Sequence, residues 1–225
     1  MLFVACTIEA TAKIKLYATG GIGMAYTRAT NTDVAYTPIL TPHLSSIMSV
    51  PLSGKITLET GGLYAIKGFN NRIIHFSDNE KVILNSKSRF HYISIPIVIN
   101  YNFYKSNNAK IWLGAGMSYG FFIGGTEKAK VSKYENGHLM SSLEQTKPVT
   151  GTLSNSTFLK DQGGKRVQLL DVMFRAQMNY VWKDKYIVGI FHDHSLQDID
   201  AKMFSDANSN LKLRYTGIAL GFILY

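Results

Sequence analysis

The 225-residue chain has one cysteine, Cys6, so no disulfide framework can hold it together. It has only five prolines, against 19 glycines. Charged residues make up 17%, below the roughly 25% usual for soluble domains. No stretch approaches the roughly 18 consecutive apolar residues of a membrane-spanning helix, and sustained helical periodicity is scarce. The formal charge is +9, yet Lys and Arg are scattered, with no recognition helix or stacking motif, which argues against a nucleic-acid partner. "GGIG" (Gly20–Gly23) and "GGKR" (Gly163–Arg166) precede no helical pattern and are not phosphate loops. Against these absences stand 46% hydrophobic residues, with 13 Tyr and 12 Phe, which exclude disorder. If such a chain lives in a membrane it must cross as a closed barrel, because only helices and barrels satisfy every backbone group in lipid.

Met1–Cys6 is apolar, and Ala10-Thr11-Ala12 fits a small-x-small cleavage pattern just before Lys13, although a basic leading segment is missing. Residues 1–12 are expected to be the remnant of an export signal and residues 13–225 a single barrel domain. A lipidated Cys6 and an ordinary first strand are the alternatives. Cleavage after Ala12 leaves no cysteine in the mature chain.

Period-two alternation marks eight strands: Lys13–Thr27, Pro38–Val50, Lys55–Phe69, Arg89–Tyr104, Lys110–Gly124, Arg166–Trp182, Tyr186–Ile199 and Leu211–Tyr225. They run 13 to 17 residues, whereas strands of soluble proteins cluster near ~5–6. A tilted strand needs ~9–11 residues to cross a bilayer. Pro51–Gly54, Ser106–Ala109 and Lys183–Lys185 are tight turns; Arg28–Thr37, Asn70–Ser88, Gly125–Gly164 and Ala201–Asn210 are long loops. Short connections at one end and long ones at the other predict an all-β fold: an eight-stranded, antiparallel, up-and-down transmembrane barrel with short periplasmic turns and long extracellular loops. Its expected place is the outer membrane of a Gram-negative bacterium, with outer-membrane lipid as its solvent.

A charge facing lipid at mid-bilayer costs ~2–4 kcal/mol for Arg or Lys, so the polar faces must point inward. Lys55, Glu59, Asp171, Arg175 and Gln177 are therefore expected to form an internal ion-pair and hydrogen-bond network, since eight strands leave a lumen that side chains just fill. Aromatic girdles are expected from Tyr101, Phe103, Tyr180, Trp182, Tyr186 and Tyr225 by the short turns, and from Tyr26, Tyr119, Phe121 and Tyr215 nearer the loops. On the last strand Leu213, Tyr215, Gly217, Ala219, Gly221, Ile223 and Tyr225 form one small or apolar face, expected to meet lipid, and the strand must pair with the first to remove both edges.

"FHYISIPIVINYNFY" (Phe90–Tyr104), "IWLGAGMSYGFFIGG" (Ile111–Gly125), "LETGGLYAIKGF" (Leu58–Phe69) and the terminal "GIALGFILY" together resemble the PorT-like outer-membrane β-barrel family of Bacteroides-type bacteria, over essentially Lys13 to Tyr225. The resemblance implies an exported barrel inserted by the outer-membrane assembly machinery, which recognises the C-terminal strand. "IFHDHSLQDI" (Ile190–Ile199) departs from the pattern, where relatives tend to carry an Arg-Tyr pair and Gly-Leu.

"HDHS" (His192–Ser195) is the one cluster with chemistry to weigh. His192 and His194 share a strand face and could hold a metal, or one could act as a base near Ser195, but no third ligand or orienting acid is evident. Two imidazoles at the outer interface are the plainer interpretation. His43, His75, His91 and His138 are scattered, and Glu59 with Asp171 fits a structural charge network better than an acid pair. Ile95-Pro96 suggests a bulge or a missing ladder bond. No cofactor, metal or catalytic residue is expected. The function expected is a non-enzymatic membrane anchor, surface-interaction or secretion-accessory protein whose loops, 125–164 above all, meet other envelope proteins. A barrel enzyme of acyltransferase or protease type and a soluble lipocalin-like ligand-binding barrel are the alternatives.

Overall fold

The computed structural model describes residues 14–29, 35–77, 80–152, 165–197 and 211–224. The export segment 1–12, the loop at 201–210 and Tyr225 lie outside the described residues. Alternation of apolar with small or polar residues settles as strands throughout: β1 (Lys15–Ala29), β2 (Ala35–Thr37), β3 (Ile39–Pro51), β4 (Ile56–Ser77), β5 (Glu80–Lys105), β6 (Ala109–Glu135), β7 (His138–Thr152), β8 (Lys165–Gln168), β9 (Leu170–Trp182), β10 (Tyr186–Ser195) and β11 (Leu211–Ile223). No helix among the described residues is long and apolar enough to cross a membrane.

Eight of these strands close a ring in the order β1-β3-β4-β5-β6-β9-β10-β11, each antiparallel to its neighbours, and β11 returns to β1 from Tyr17↔Ile223 to Ala29↔Leu211. The eight sequence-predicted strands are these eight. Closure leaves no edge within the ring, which is what hydrocarbon requires. Between β4 and β5 the register holds from Thr60↔Ile97 to Leu63↔Ser94, while Gly61 and Gly62 face Ile95 and Pro96 without ladder pairing. Pro96 has no N–H to give, and the gap is the missing bond that the Ile-Pro pair implies.

Outward positions are apolar. Ile93, Ile95, Ile97 and Ile99 stay exposed on β5, as do Phe174, Met178 and Tyr180 on β9 and Val188 and Ile190 on β10. On β11 the expected sides are exchanged. Leu213, Tyr215 and Ala219 are buried in the lumen, and Ile218, Leu220, Phe222 and Leu224 are the exposed ones. From Gly217 to Leu224 both faces of this strand are apolar or small, so hydrophobicity alone could not orient it there. What orients it is room: a Cβ on Gly217 would lie 2.6 Å from the Phe191 ring, and one on Gly221 would collide with the Ala18 carbonyl oxygen.

The three tight connections lie at one end. At the β9–β10 turn Lys183 and Asp184 both have positive φ, 51° and 50°. Asp184 is fixed there by Lys110, whose Nζ donates to both carboxylate oxygens at 2.6 and 2.7 Å, and by Lys15 at 2.9 Å. The hydrogen bond from Lys110 first, then Lys15, holds the Asp184 carboxyl below its usual range. A lowered folded-state value means this contribution is complete above the unfolded carboxylate pKa and is lost as pH falls through the folded one. Asp184→Asn is therefore expected to flatten the acid limb of a pH–stability curve while changing neutral-pH stability little, because the group is half exposed. Urea titrations across that range check it.

At the opposite end the described parts of two sequence-predicted loops, 70–88 and 125–164, are β-structure. β4 and β5 continue past the ring as one hairpin, paired out to Ser77↔Glu80, and β6 runs on to Glu135 before β7 returns beside it. The β6–β7 turn is Asn136-Gly137, with φ of 48° and 82°. Asn-Gly between alternating runs is a strong hairpin signal. β2 adds to the outer part of β4, and β8 runs parallel to the end of β7.

Candidate functional site

The lumen is packed from end to end in tiers. Nearest the short turns, Tyr17, Ile47, Trp112, Val181 and Ile187 form an apolar plug. Above it lies a polar layer. Gln177 donates through Nε2 to Glu59 Oε2 at 2.5 Å and to Asn100 Oδ1 at 3.0 Å. Arg175 grips Asp193 with two parallel bonds, Nε to Oδ1 and Nη2 to Oδ2, both 2.7 Å. The guanidinium also lies 4.3 Å from the centre of the Phe191 ring. His43 Nδ1 shares a hydrogen bond with the Tyr215 hydroxyl at 3.1 Å, inside a cluster with Phe191.

One level higher, Lys67 is 1% exposed and pairs with Asp171 at 3.4 Å, with its ammonium 4.9 Å from the Tyr92 ring centre. Ser195 donates to the other oxygen of Asp171 at 2.5 Å. An aromatic cap of Phe69, Phe90, Tyr92 and Phe122, joined by Val149 and Leu213, closes the top. A cavity of about 40 Å³ survives beside Glu59 and Tyr17. That is space for a few waters at about 10–15 Å³ each, and no channel.

Of the residues expected in the interior network, Glu59, Asp171, Arg175 and Gln177 line the lumen. Lys55 does not: it is exposed in the β3–β4 turn, its ammonium 6.0 Å from the Tyr101 ring centre. Its alternation with Glu59 ends where the strand begins, at Ile56. Lys67, Asn100, Asp193 and Ser195 belong to the network beyond the expected set. Strand parity could have found them: Lys67 shares the parity of Glu59 along β4, Asn100 alternates with the outward isoleucines of β5, and Asp193 and Ser195 alternate with His192 and His194 along β10.

Tyr215 is wholly buried under His43 and Phe191, so it is lumen packing and no part of a girdle. Near the short turns Tyr101, Phe103, Tyr180, Trp182 and Tyr186 are exposed on the outer wall, and Phe222 joins them, its ring centre 5.6 Å from that of Tyr186. Lys183 sits over Trp182 and Lys185 over Tyr186, placing cations beyond the rings at headgroup depth. Towards the other end Phe121 is exposed and Tyr26 and Tyr119 are half-buried.

The "HDHS" cluster is split by the strand's own alternation. His192 and His194 face outward, with His192 Nδ1 bonded to Thr216 Oγ1 at 2.9 Å, whereas Asp193 and Ser195 face the lumen and are taken by Arg175 and Asp171. Among the described residues no three His, Cys, Asp or Glu side chains group as metal ligands would.

An apolar outer wall around a filled interior that holds buried ion pairs is the inverse of a soluble ligand-binding barrel. The family model for the outer membrane protein beta-barrel domain matches residues 11–182. The chain belongs to that family, and its place is the outer membrane of a Gram-negative bacterium. None of the curated proteins matches it. Among solved structures it is similar to OprG of Pseudomonas aeruginosa, at 11% identity and a TM-score of 0.44, covering 94% of this chain and 96% of that one. It is also similar to Ail, the attachment invasion locus protein of Yersinia pestis, at 10% identity and a TM-score of 0.37, covering 92% and 98%.

Proposed function

We propose that this outer-membrane barrel is a non-enzymatic anchor whose work is done outside the ring, by its projecting hairpins, as a surface-interaction or secretion-accessory component of PorT-like type. The observation that carries the proposal is the pairing of β7. From His138 to Pro148 it pairs with β6 alone among the described residues, so its other edge offers a row of backbone donors and acceptors. Leu139, Met140 and Leu143 are exposed along it. An extended segment of another envelope protein could add to such an edge. The filled lumen supports the same view from the other side, since the cavity beside Glu59 has a volume of only about 40 Å³ among the described residues. Recognition by the assembly machinery belongs to the same proposal, through the lipid-facing Ile218, Leu220 and Phe222 of β11.

The test replaces Thr126–Pro148 with an Asn-Gly turn. The shortened protein is expected to insert and keep heat-modifiable mobility. A photo-reactive side chain at Leu143 should give a discrete protein adduct in intact cells, and planar bilayers holding the full chain should stay electrically silent. Steady current through the intact barrel, with no adduct from any β7 position, would overturn the proposal. The enzymatic alternative predicts lost activity on replacing His192 and His194; a phenotype unchanged by H192F/H194F counts against it.

A further inference from the structure

Cross-strand pairing places five cations on the outer wall, directly above the lipid-facing band. Above Ile93 on β5, the outward positions continue as His91, Arg89, Lys87 and Asn85. Arg89 lies opposite Gly68 and Thr126, Lys87 opposite Asn70 and Lys128, and Asn85 opposite Arg72 and Lys130. Arg72, Lys87, Lys128 and Lys130 are exposed. Arg89 is half-buried, and its Nη1 donates to Asn70 Oδ1 at 3.2 Å. Glu144, paired with Lys130, is the one acid in these three rows, and among the described residues it forms no salt bridge there. Lys87 and Lys128 face each other directly, a like-charge pairing that destabilises a sheet unless an anion sits between them. Across the barrel a second, smaller arc repeats the arrangement: Lys212 and Arg214 continue the outward row of Ile218, and His194 pairs with Arg214.

We propose that this belt binds the phosphate groups of outer-leaflet lipid headgroups. Three features favour a lipid source over a dissolved anion. The cations follow immediately on the apolar band, at headgroup depth. They lie on the wall that faces sideways into the membrane plane. They are spread along an arc of three strands with no enclosing cleft, which suits a ring of neighbouring headgroups better than one compact ligand. Glu127, next to Lys128, is on the opposite face, 3% exposed, where Ser86 Oγ donates to it at 2.8 Å; Glu80, paired with Lys133 at 2.8 Å, and Glu135 lie beyond the belt at the hairpin tips. A phosphomonoester between Lys87 and Lys128 would accept from both ammonium groups, turning repulsion into a charge-assisted bridge.

The test reconstitutes the full chain in phosphatidylcholine bilayers containing a minor share of phosphatidic acid. Electron spin resonance then compares how strongly spin-labelled phosphatidic acid and spin-labelled phosphatidylcholine are immobilised at the protein. A several-fold preference for phosphatidic acid is expected, falling as salt rises. R72Q/K87Q/K128Q/K130Q should abolish most of it while keeping heat-modifiable mobility, and K183Q/K185Q at the other rim should keep it. Single K87Q and K128Q variants, each expected to show a partial loss, keep the test decisive if the fourfold variant does not insert. Equal immobilisation of both lipids, or a preference untouched by the four exchanges, overturns the proposal. So does tight binding of inositol hexakisphosphate to the same four side chains in detergent without any lipid preference, which would make a dissolved polyanion the ligand.

Discussion

Exchange of Arg175 for methionine is expected to cost the barrel about 3–5 kcal/mol, because it strands the Asp193 carboxylate in a lumen from which solvent is almost excluded. Asp193 is 1% exposed, and both its oxygens are spoken for by the guanidinium alone. Glu59 lies in the same layer, so removing the cation also leaves a second acid with less compensation. The double variant R175M/D193L exchanges the whole pair for apolar volume and should recover most of the loss, since a buried pair contributes little beyond its well-packed isostere. Urea unfolding in phospholipid vesicles, read on both variants, decides the matter. Equal destabilisation of single and double variants would show that the lumen needs the ion pair itself.

The second large effect is steric. Gly217→Val is expected to destabilise by about 1–3 kcal/mol or to block insertion outright, since overpacking forces neighbours off their rotamers. Its Cβ would meet Phe191 at 2.6 Å and His43 Cε1 at 3.0 Å. Neither ring can retreat: Phe191 is held under Arg175 and His43 against Tyr215. Phe191→Ala in the same chain removes the obstacle and should restore heat-modifiable mobility. If Gly217→Val alone inserts and unfolds like the wild type, the lumen is looser than its contacts suggest.

Strand number, order and class are legible in the sequence because period-two alternation, sustained over 13 residues or more, matches the pleat of a strand and no helical repeat. The inward placement of Glu59, Asp171, Arg175 and Gln177 follows from one inequality, the cost of a charge in hydrocarbon. Two things are less legible. From Gly217 to Leu224 the inequality has nothing to act on, because neither face of β11 carries a charge there; orientation depends on which neighbours need space, and that is a property of other strands. Tyr215 therefore turns to the lumen although its own strand gives no sign of it. The hairpins are hidden because hydrophobicity fades at Phe69 and Gly124 while pairing does not. Above the membrane a strand can stay paired with polar residues on both faces, as Asn70–Arg72 and Thr126–Lys128 do. Asn136-Gly137 marks one of the two tips, inside a segment whose polarity otherwise suggests an irregular loop.

The ring is completed by the two described strands farthest apart in the chain, β1 and β11, along thirteen consecutive rows. Until that seam zips, both margins carry unpaired peptide groups that a bilayer cannot solvate. Among the described strands this seam is also the one with the longest stretch of chain to close, and such topologies assemble slowly. A catalyst that shelters an open margin would act at this step, and lesions along Gly21, Gly23 or Gly217 should appear first as delayed assembly.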